Sequence, residues 1–167
     1  MNGDCRLKVA DFGLARVYND NNDSKILAMT EYVTTRWYRA PEVLVGWHRY
    51  TTAVDMWAVG CIIAELIGRM PLFPGADSMK QLELLCRFAG KPSDEFIARS
   101  RKSSCRQYMS ELSKHQRPTD VRTLYPGANP LALDLIQRLL EFDPENRISA
   151  EGALRHPYID RIWTRYC

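Results

Sequence analysis

The chain has 167 residues, 46% of them hydrophobic and 26% charged, with a formal charge of +3. That is the length of one domain with enough apolar residues for a sizeable core, and it excludes a repeat array or a disordered polyelectrolyte. A charge this small and mixed in sign argues against a nucleic-acid binder, which concentrates far more positive charge.

The first residues, MNGDCRLK, contain no apolar core of signal-peptide type, and the longest apolar run, around residues 56–67, is broken by Gly60 and Glu65 and is too short to span a bilayer. No membrane role is expected. Five cysteines, Cys5, Cys61, Cys86, Cys105 and Cys167, are widely spaced with no C-x-x-C pair, so reduced thiols are the simplest reading. His48, His115 and His156 are scattered and lack metal-ligand spacing.

In chain order, Cys5, Leu7 and Val9 alternate with Arg6, Lys8 and Ala10, a period of two that predicts a half-buried strand over residues 1–10. Asn2-Gly3 before it is a hairpin-turn signal that expects a partner strand, so the chain is expected to begin inside a structural unit. Residues 11–42 open with Asp11-Phe12-Gly13 and close with Ala40-Pro41-Glu42. Between lie an Asn/Asp-rich run, Thr30-Glu31-Tyr32, and then Arg36 and Arg39. Phosphorylation of Thr30 and Tyr32 would add about −1.5 to −2 charge at each, and arginines are the partners such groups need.

Thr52-x-x-Asp55 fits a helix-start box, predicting a helix from about Ala53 to Gly68. Its Val54, Trp57, Ala58, Cys61, Ile62 and Ile63 leave little polar surface, so it is expected to be buried nearly all round. Asp77 is placed to cap a second helix with Leu82, Leu85, Cys86 and Ala89 at helical spacing and Gly90 as its stop. Lys91-Pro92-Ser93 breaks the chain. From residue 93 to about 128 the pattern weakens into short helical pieces with Arg99, Arg101, Lys102, Arg106, Lys114 and Arg117, a basic face that is solvated or docks acidic partners. Asn129-Pro130 is a cap followed by proline, Leu131, Leu135, Ile136, Leu139 and Leu140 give an apolar face, and Ser149 caps a last short helix.

Asp-Phe-Gly, Thr-Glu-Tyr, TRWYRAPE and the D-x-W-x-x-G of Asp55–Gly60 stand in the order found in protein kinases, and the chain resembles the mitogen-activated protein (MAP) kinases, most like the extracellular-signal-regulated type. The resemblance covers nearly the whole chain. It implies a mainly α fold, the C-terminal lobe of a kinase domain. Residues 1–10 would be the strand before Asp11, 11–42 the activation segment, 43–92 a helical core, 93–128 the MAP-kinase-type insert and 129–167 the C-terminal helices. No Gly-rich GxGxxG loop, Val-Ala-Ile-Lys strand or HRDxxxxN loop occurs in the 167 residues, so the N-terminal lobe and the catalytic loop are expected to lie outside this chain.

What the resemblance implies is a proline-directed Ser/Thr kinase that uses ATP and Mg2+ and is switched on by an upstream dual-specificity MAP kinase kinase. Asp11 would hold the magnesium ion. Thr30 and Tyr32 would be the phosphorylated residues, with Arg16 receiving the first phosphate and Arg36 and Arg39 the second. Thr35 would support the catalytic Asp, and Arg36–Arg39 would form the pocket for the residue after the target hydroxyl. Thr34 stands where close relatives often carry Ala, a departure that adds little bulk. Glu42 would pair with Arg147, and Asp55 would fix the catalytic loop. Partners would be protein substrates with Ser/Thr-Pro sites and phosphatases, without nucleic acid or membrane, in the cytoplasm and also the nucleus. A non-catalytic module that sequesters the upstream kinase or docking partners is the alternative, and a cyclin-dependent-kinase-like relative is disfavoured by the two acceptors in Thr-Glu-Tyr.

Overall fold

A computed structural model describes residues 8–15, 35–47, 51–112 and 118–160. Among these the only regular structure is helical: α1 (Pro41–Leu44), α2 (Ala53–Gly68), α3 (Ser78–Ala89), α4 (Asp94–Ala98), α5 (Ser103–Glu111), α6 (Val121–Leu124), α7 (Pro130–Leu139) and α8 (Ala150–Leu154), with single 3-10 turns at Phe12–Leu14 and Arg36–Tyr38 and a further helical stretch over 157–160. Of the strand expected over residues 1–10, Lys8, Val9 and Ala10 have exposed, irregular backbone, and residues 1–7 lie outside the described residues.

Local capping explains most helix ends. Asp77 accepts from the Lys80 amide at 2.8 Å and starts α3, whose last residue is followed by Gly90 at φ 87°, a conformation that favours glycine. Ser93, Asn129 and Ser149 accept from the amides of Phe96, Leu131 and Gly152 and start α4, α7 and α8, with Pro130 at the first position of α7. The start of α2 departs from expectation. Thr52 already has helical backbone and makes no side-chain cap, and Thr51 Oγ1 accepts from Ala53 N at 3.2 Å instead. Two adjacent threonines offer the same chemistry, and the one left outside the helix takes the role.

The core gathers on one side of α2. Helix α2 packs on α7, and Gly60 makes the approach possible: a Cβ there would lie 2.8 Å from Leu140 Cδ2 and 2.9 Å from Leu139 Cβ. Trp57 is fully buried and stacked on Phe73 at 5.9 Å between ring centroids, and Phe73 meets Phe88 of α3 edge-on at 5.3 Å. A second aromatic group, Trp47–Phe96–Phe142, joins α4 to the segment after α7.

The other side of α2 is not covered. Asp55, Val59, Ile62 and Leu66 recur at helical spacing as exposed positions, with Ile62 49% and Leu66 72% exposed, and Met70 beyond the helix end continues the stripe. The expectation of burial all round is therefore corrected: the helix is apolar on most sides, but only its Trp57–Gly60–Cys61–Ala64 side is buried. Among the described residues no helix is long and apolar enough to cross a membrane.

Candidate functional site

Asp11 sits just before a 3-10 turn, in the left-handed region at φ 62°, ψ 66°, which Asp tolerates better than bulkier residues. It is exposed, as is Phe12. Mg2+ is commonly held through one or two carboxylates together with substrate phosphates, and an accessible Asp11 carboxylate suits one such ligand. Among the described residues no three His, Cys, Asp or Glu side chains gather as a metal site.

Arg16, Thr30 and Tyr32 lie outside the described residues. Thr35 is exposed, and the chain then makes the Arg36–Tyr38 turn, closed by Arg39 N donating to Arg36 O at 3.1 Å. This turn is seated on the loop before α3. Arg36 Nη1 donates to the Ala76 carbonyl at 2.8 Å, and Trp37 Nε1 donates to the Gly75 carbonyl at 3.1 Å. Arg36 Nε is buried with no hydrogen-bond partner among the described residues, so one of the five guanidinium donors is left to be satisfied.

Tyr38 anchors the turn to α2 by donating from its hydroxyl to Glu65 Oε2 at 2.7 Å. That bond favours the protonated phenol and raises its pKa, with partial burial and the Glu65 charge acting in the same direction. Gln81, the second turn of α3, completes the seat. Its side chain accepts from Gly75 N at 3.1 Å and donates to Trp37 O at 3.3 Å, and it is fully buried.

Beyond Arg39 the chain dives into the core. Ala40, Pro41 and Glu42 are buried, and Glu42 meets Arg147 in a two-pronged ion pair, Oε1 to Nη1 at 2.8 Å and Oε2 to Nη2 at 3.0 Å. The remaining Arg147 donors go to the carbonyls of Ala53 (2.7 Å), Glu141 (2.9 Å) and Phe142 (3.2 Å). All five N–H groups are thus used. The guanidinium carbon lies 5.1 Å from the Trp57 ring centroid, so the pair is roofed by the central aromatic. Cys61, one turn along α2, has its thiol pushed up to about 12 chiefly by burial, against the pull of Arg147.

Of the expected site residues the structure brings together Glu42 and Arg147, while Arg36 is seated on the Ala76 carbonyl of the loop before α3. Asp55 stands exposed on the first turn of α2, and Asp11 belongs to a separate short segment. Glu65, Gly75 and Gln81 were not singled out as site residues from the sequence. Gln81 could have been noticed as an amide placed beside Leu82 and one turn before Leu85, on the face that is otherwise apolar.

The protein kinase domain model matches residues 1–159. The chain belongs to the protein kinase family. It is 48% identical to Mitogen-activated protein kinase spm1 of Schizosaccharomyces pombe over 98% of this chain and 38% of that relative. It is also 46% identical to Extracellular signal-regulated kinase 1 of Dictyostelium discoideum over 97% of this chain and 30% of the relative. Mitogen-activated protein kinase 5 of Oryza sativa subsp. indica gives 46% over 97% of this chain and 42% of its own length. The chain thus spans less than half the length of these kinases, and its helical fold is that of the C-terminal lobe of a kinase domain, of MAP kinase type.

Proposed function

We propose that this chain is the substrate-side part of a proline-directed Ser/Thr protein kinase, activated when an upstream dual-specificity kinase phosphorylates Thr30 and Tyr32 and reversed by phosphatases. It acts in the cytoplasm and nucleus on proteins with Ser/Thr-Pro sites. The observation that carries this reading is the seating of Arg36–Tyr38: a short turn with three side-chain hydrogen bonds to the 75–76 loop and α2, directly before a buried Glu42. A turn fixed in this way can hold an extended peptide in one register while its own surface reads the residue after the target hydroxyl.

ATP and Mg2+ would supply the transferable phosphoryl group and neutralise its charge, and Asp11 would be one metal ligand. Thr35, exposed at the lip of the turn, would hold the catalytic carboxylate in place. Arg36 would receive a phosphate oxygen through its guanidinium, a charge-assisted pairing. Arg39 would join it at phosphorylated Tyr32, Arg16 would serve Thr30, and Asp55 would steady the catalytic loop from the open end of α2.

The test is peptide phosphorylation by the full-length kinase after activation. A Ser-Pro peptide should be used well ahead of its Ser-Ala counterpart, and mass spectrometry should find both phosphates on the peptide that contains Thr30 and Tyr32. The 167-residue chain by itself should transfer no phosphate above an Asp11→Asn control, since positioning and charge stabilisation act as a unit. Equal use of both peptides would remove the proline-directed reading, and failure of the full-length protein to phosphorylate either would leave the binding-module alternative.

A further inference from the structure

A fully buried amide joins the two loops on which the substrate turn depends. Gln81 is 0% exposed, and both polar atoms of its side chain are engaged by backbone that is remote in sequence from one side. Its Oε1 takes the Gly75 amide at 3.1 Å and its Nε2 gives to the Trp37 carbonyl at 3.3 Å. The Trp37 indole returns the connection by donating to Gly75 O at 3.1 Å, and Arg36 adds a bond to Ala76 O at 2.8 Å. Gly75 is required where it is: a Cβ there would lie 2.5 Å from Gln81 Oε1 and 2.7 Å from the Gln81 Cα and N. Only a carboxamide offers one acceptor and one donor across this gap. A carboxylate would face the Trp37 carbonyl with a second acceptor, and an apolar side chain would orphan both backbone groups.

We propose that Gln81 is the positioning residue that sets the Arg36–Tyr38 turn against the N-terminal end of α3, and thereby fixes preference for the residue following the target hydroxyl. The inference rests on the reading of this turn as the substrate pocket. Gln81 does not touch substrate. It acts through Trp37 O, holding the backbone from which Arg36 and Tyr38 project. Because both of its partners, Gly75 and Trp37, belong to the turn and its seat, its loss should be felt in peptide binding and peptide choice, and not in use of ATP.

The experiment compares the full-length, activated kinase with its Gln81→Met and Gly75→Ala variants on matched Ser-Pro and Ser-Ala peptides, with ATP varied separately. Loss of the bridge should raise KM for the Ser-Pro peptide roughly ten-fold, about one strong hydrogen bond's worth of binding. The Ser-Pro to Ser-Ala preference should shrink by a similar factor, while KM for ATP and kcat at saturating peptide stay within about two-fold. Should Gln81→Met fail to fold, Gln81→Asn carries the same readout, since it keeps an uncharged amide and is one methylene too short to reach both Gly75 N and Trp37 O. A wild-type enzyme that prefers proline, with variants that keep that preference and lose only thermal stability, overturns the role of Gln81 alone. A wild-type enzyme with no preference for proline overturns the pocket reading and the Gln81 proposal with it.

Discussion

Replacing Arg147 by Ala should cost this fold a large part of its stability, and the structure says why. The Arg147 and Glu42 side chains are 0% and 2% exposed, so neither group has water to fall back on. The substitution removes two bonds to the carboxylate and three to the carbonyls of Ala53, Glu141 and Phe142. One charged and three neutral acceptors lose their donor together. Stranding one member of a buried ion pair costs about 3–5 kcal/mol, against a total stability of about 5–15 kcal/mol for an ordinary domain. Arg147→Lys should recover little, because an ammonium has three donors on one atom and cannot span a fork that now feeds five. Glu42→Gln should be milder, about 1.5–3 kcal/mol, since the carbonyls still hold the guanidinium. Urea unfolding followed by tryptophan fluorescence measures each, with Trp57 under the pair as a reporter. The double variant Glu42→Leu/Arg147→Met should be less unstable than the sum of its single changes by about 2 kcal/mol. An Arg147→Ala variant within about 1 kcal/mol of the parent, or a fully additive cycle, would refute the claim that this pair ties α1 to the chain after α7.

Four further outcomes follow from the same geometry. Asp134 has its pKa lowered from the ordinary 3.8, first by its hydrogen bond with His156 (2.7 Å) and then by Arg138. Its contribution is therefore present above that ordinary value and lost as pH falls through the lower folded one. Asp134→Asn should flatten acid unfolding in that window alone, and modestly, because the carboxylate is 45% exposed. Cys61 and Cys86, both pushed up to about 12 by burial, should resist a thiol reagent at about pH 8 until the chain unfolds; prompt labelling of either in the native state would contradict their burial. Gly60→Ala should destabilise by about 1–2 kcal/mol despite alanine's better helix propensity, since Leu139 and Leu140 leave no room, and a raised melting temperature would show that α2 and α7 part easily. The isolated 167-residue chain should self-associate through the α2 stripe, and Ile62→Glu with Leu66→Lys should restore monomer in light scattering; unchanged association would place the contact elsewhere.

The features that could be read from the sequence are those whose physics is local. Caps at Asp77, Asn129 and Ser149 and the stop at Gly90 depend on atoms within three or four residues, so composition at the helix end fixes them. Adjacent equivalents blur this only slightly, as with Thr51 and Thr52. Helix α2 was harder because an all-apolar sequence states that every side can be buried, and not which sides find a partner; Val59, Ile62 and Leu66 are as apolar as the buried Cys61 and Ala64. Gln81 was illegible for a different reason. Its two partners are found only once Trp37, 44 residues away, and Gly75 have been folded against it.

These long-range bonds arrange the segment as a gradient of constraint. At Glu42 the chain is held by a fully used guanidinium in the core, at Trp37 by an amide bridge and an indole bond at the core's edge, and at Thr35 the residue is exposed. Among the described residues, restraint thus falls from Glu42 to Thr35. On the proposed reading, Arg36 would answer an added negative charge from a place of intermediate restraint, with Nη1 fixed on Ala76 O while Glu42 is held separately by Arg147. A switch needs one fixed end and one that can be reset within a few kcal/mol. If Arg36 receives a phosphate as proposed, each bond it gave up, such as that to Ala76 O, would subtract from a charge-assisted gain of about 1.5–3 kcal/mol.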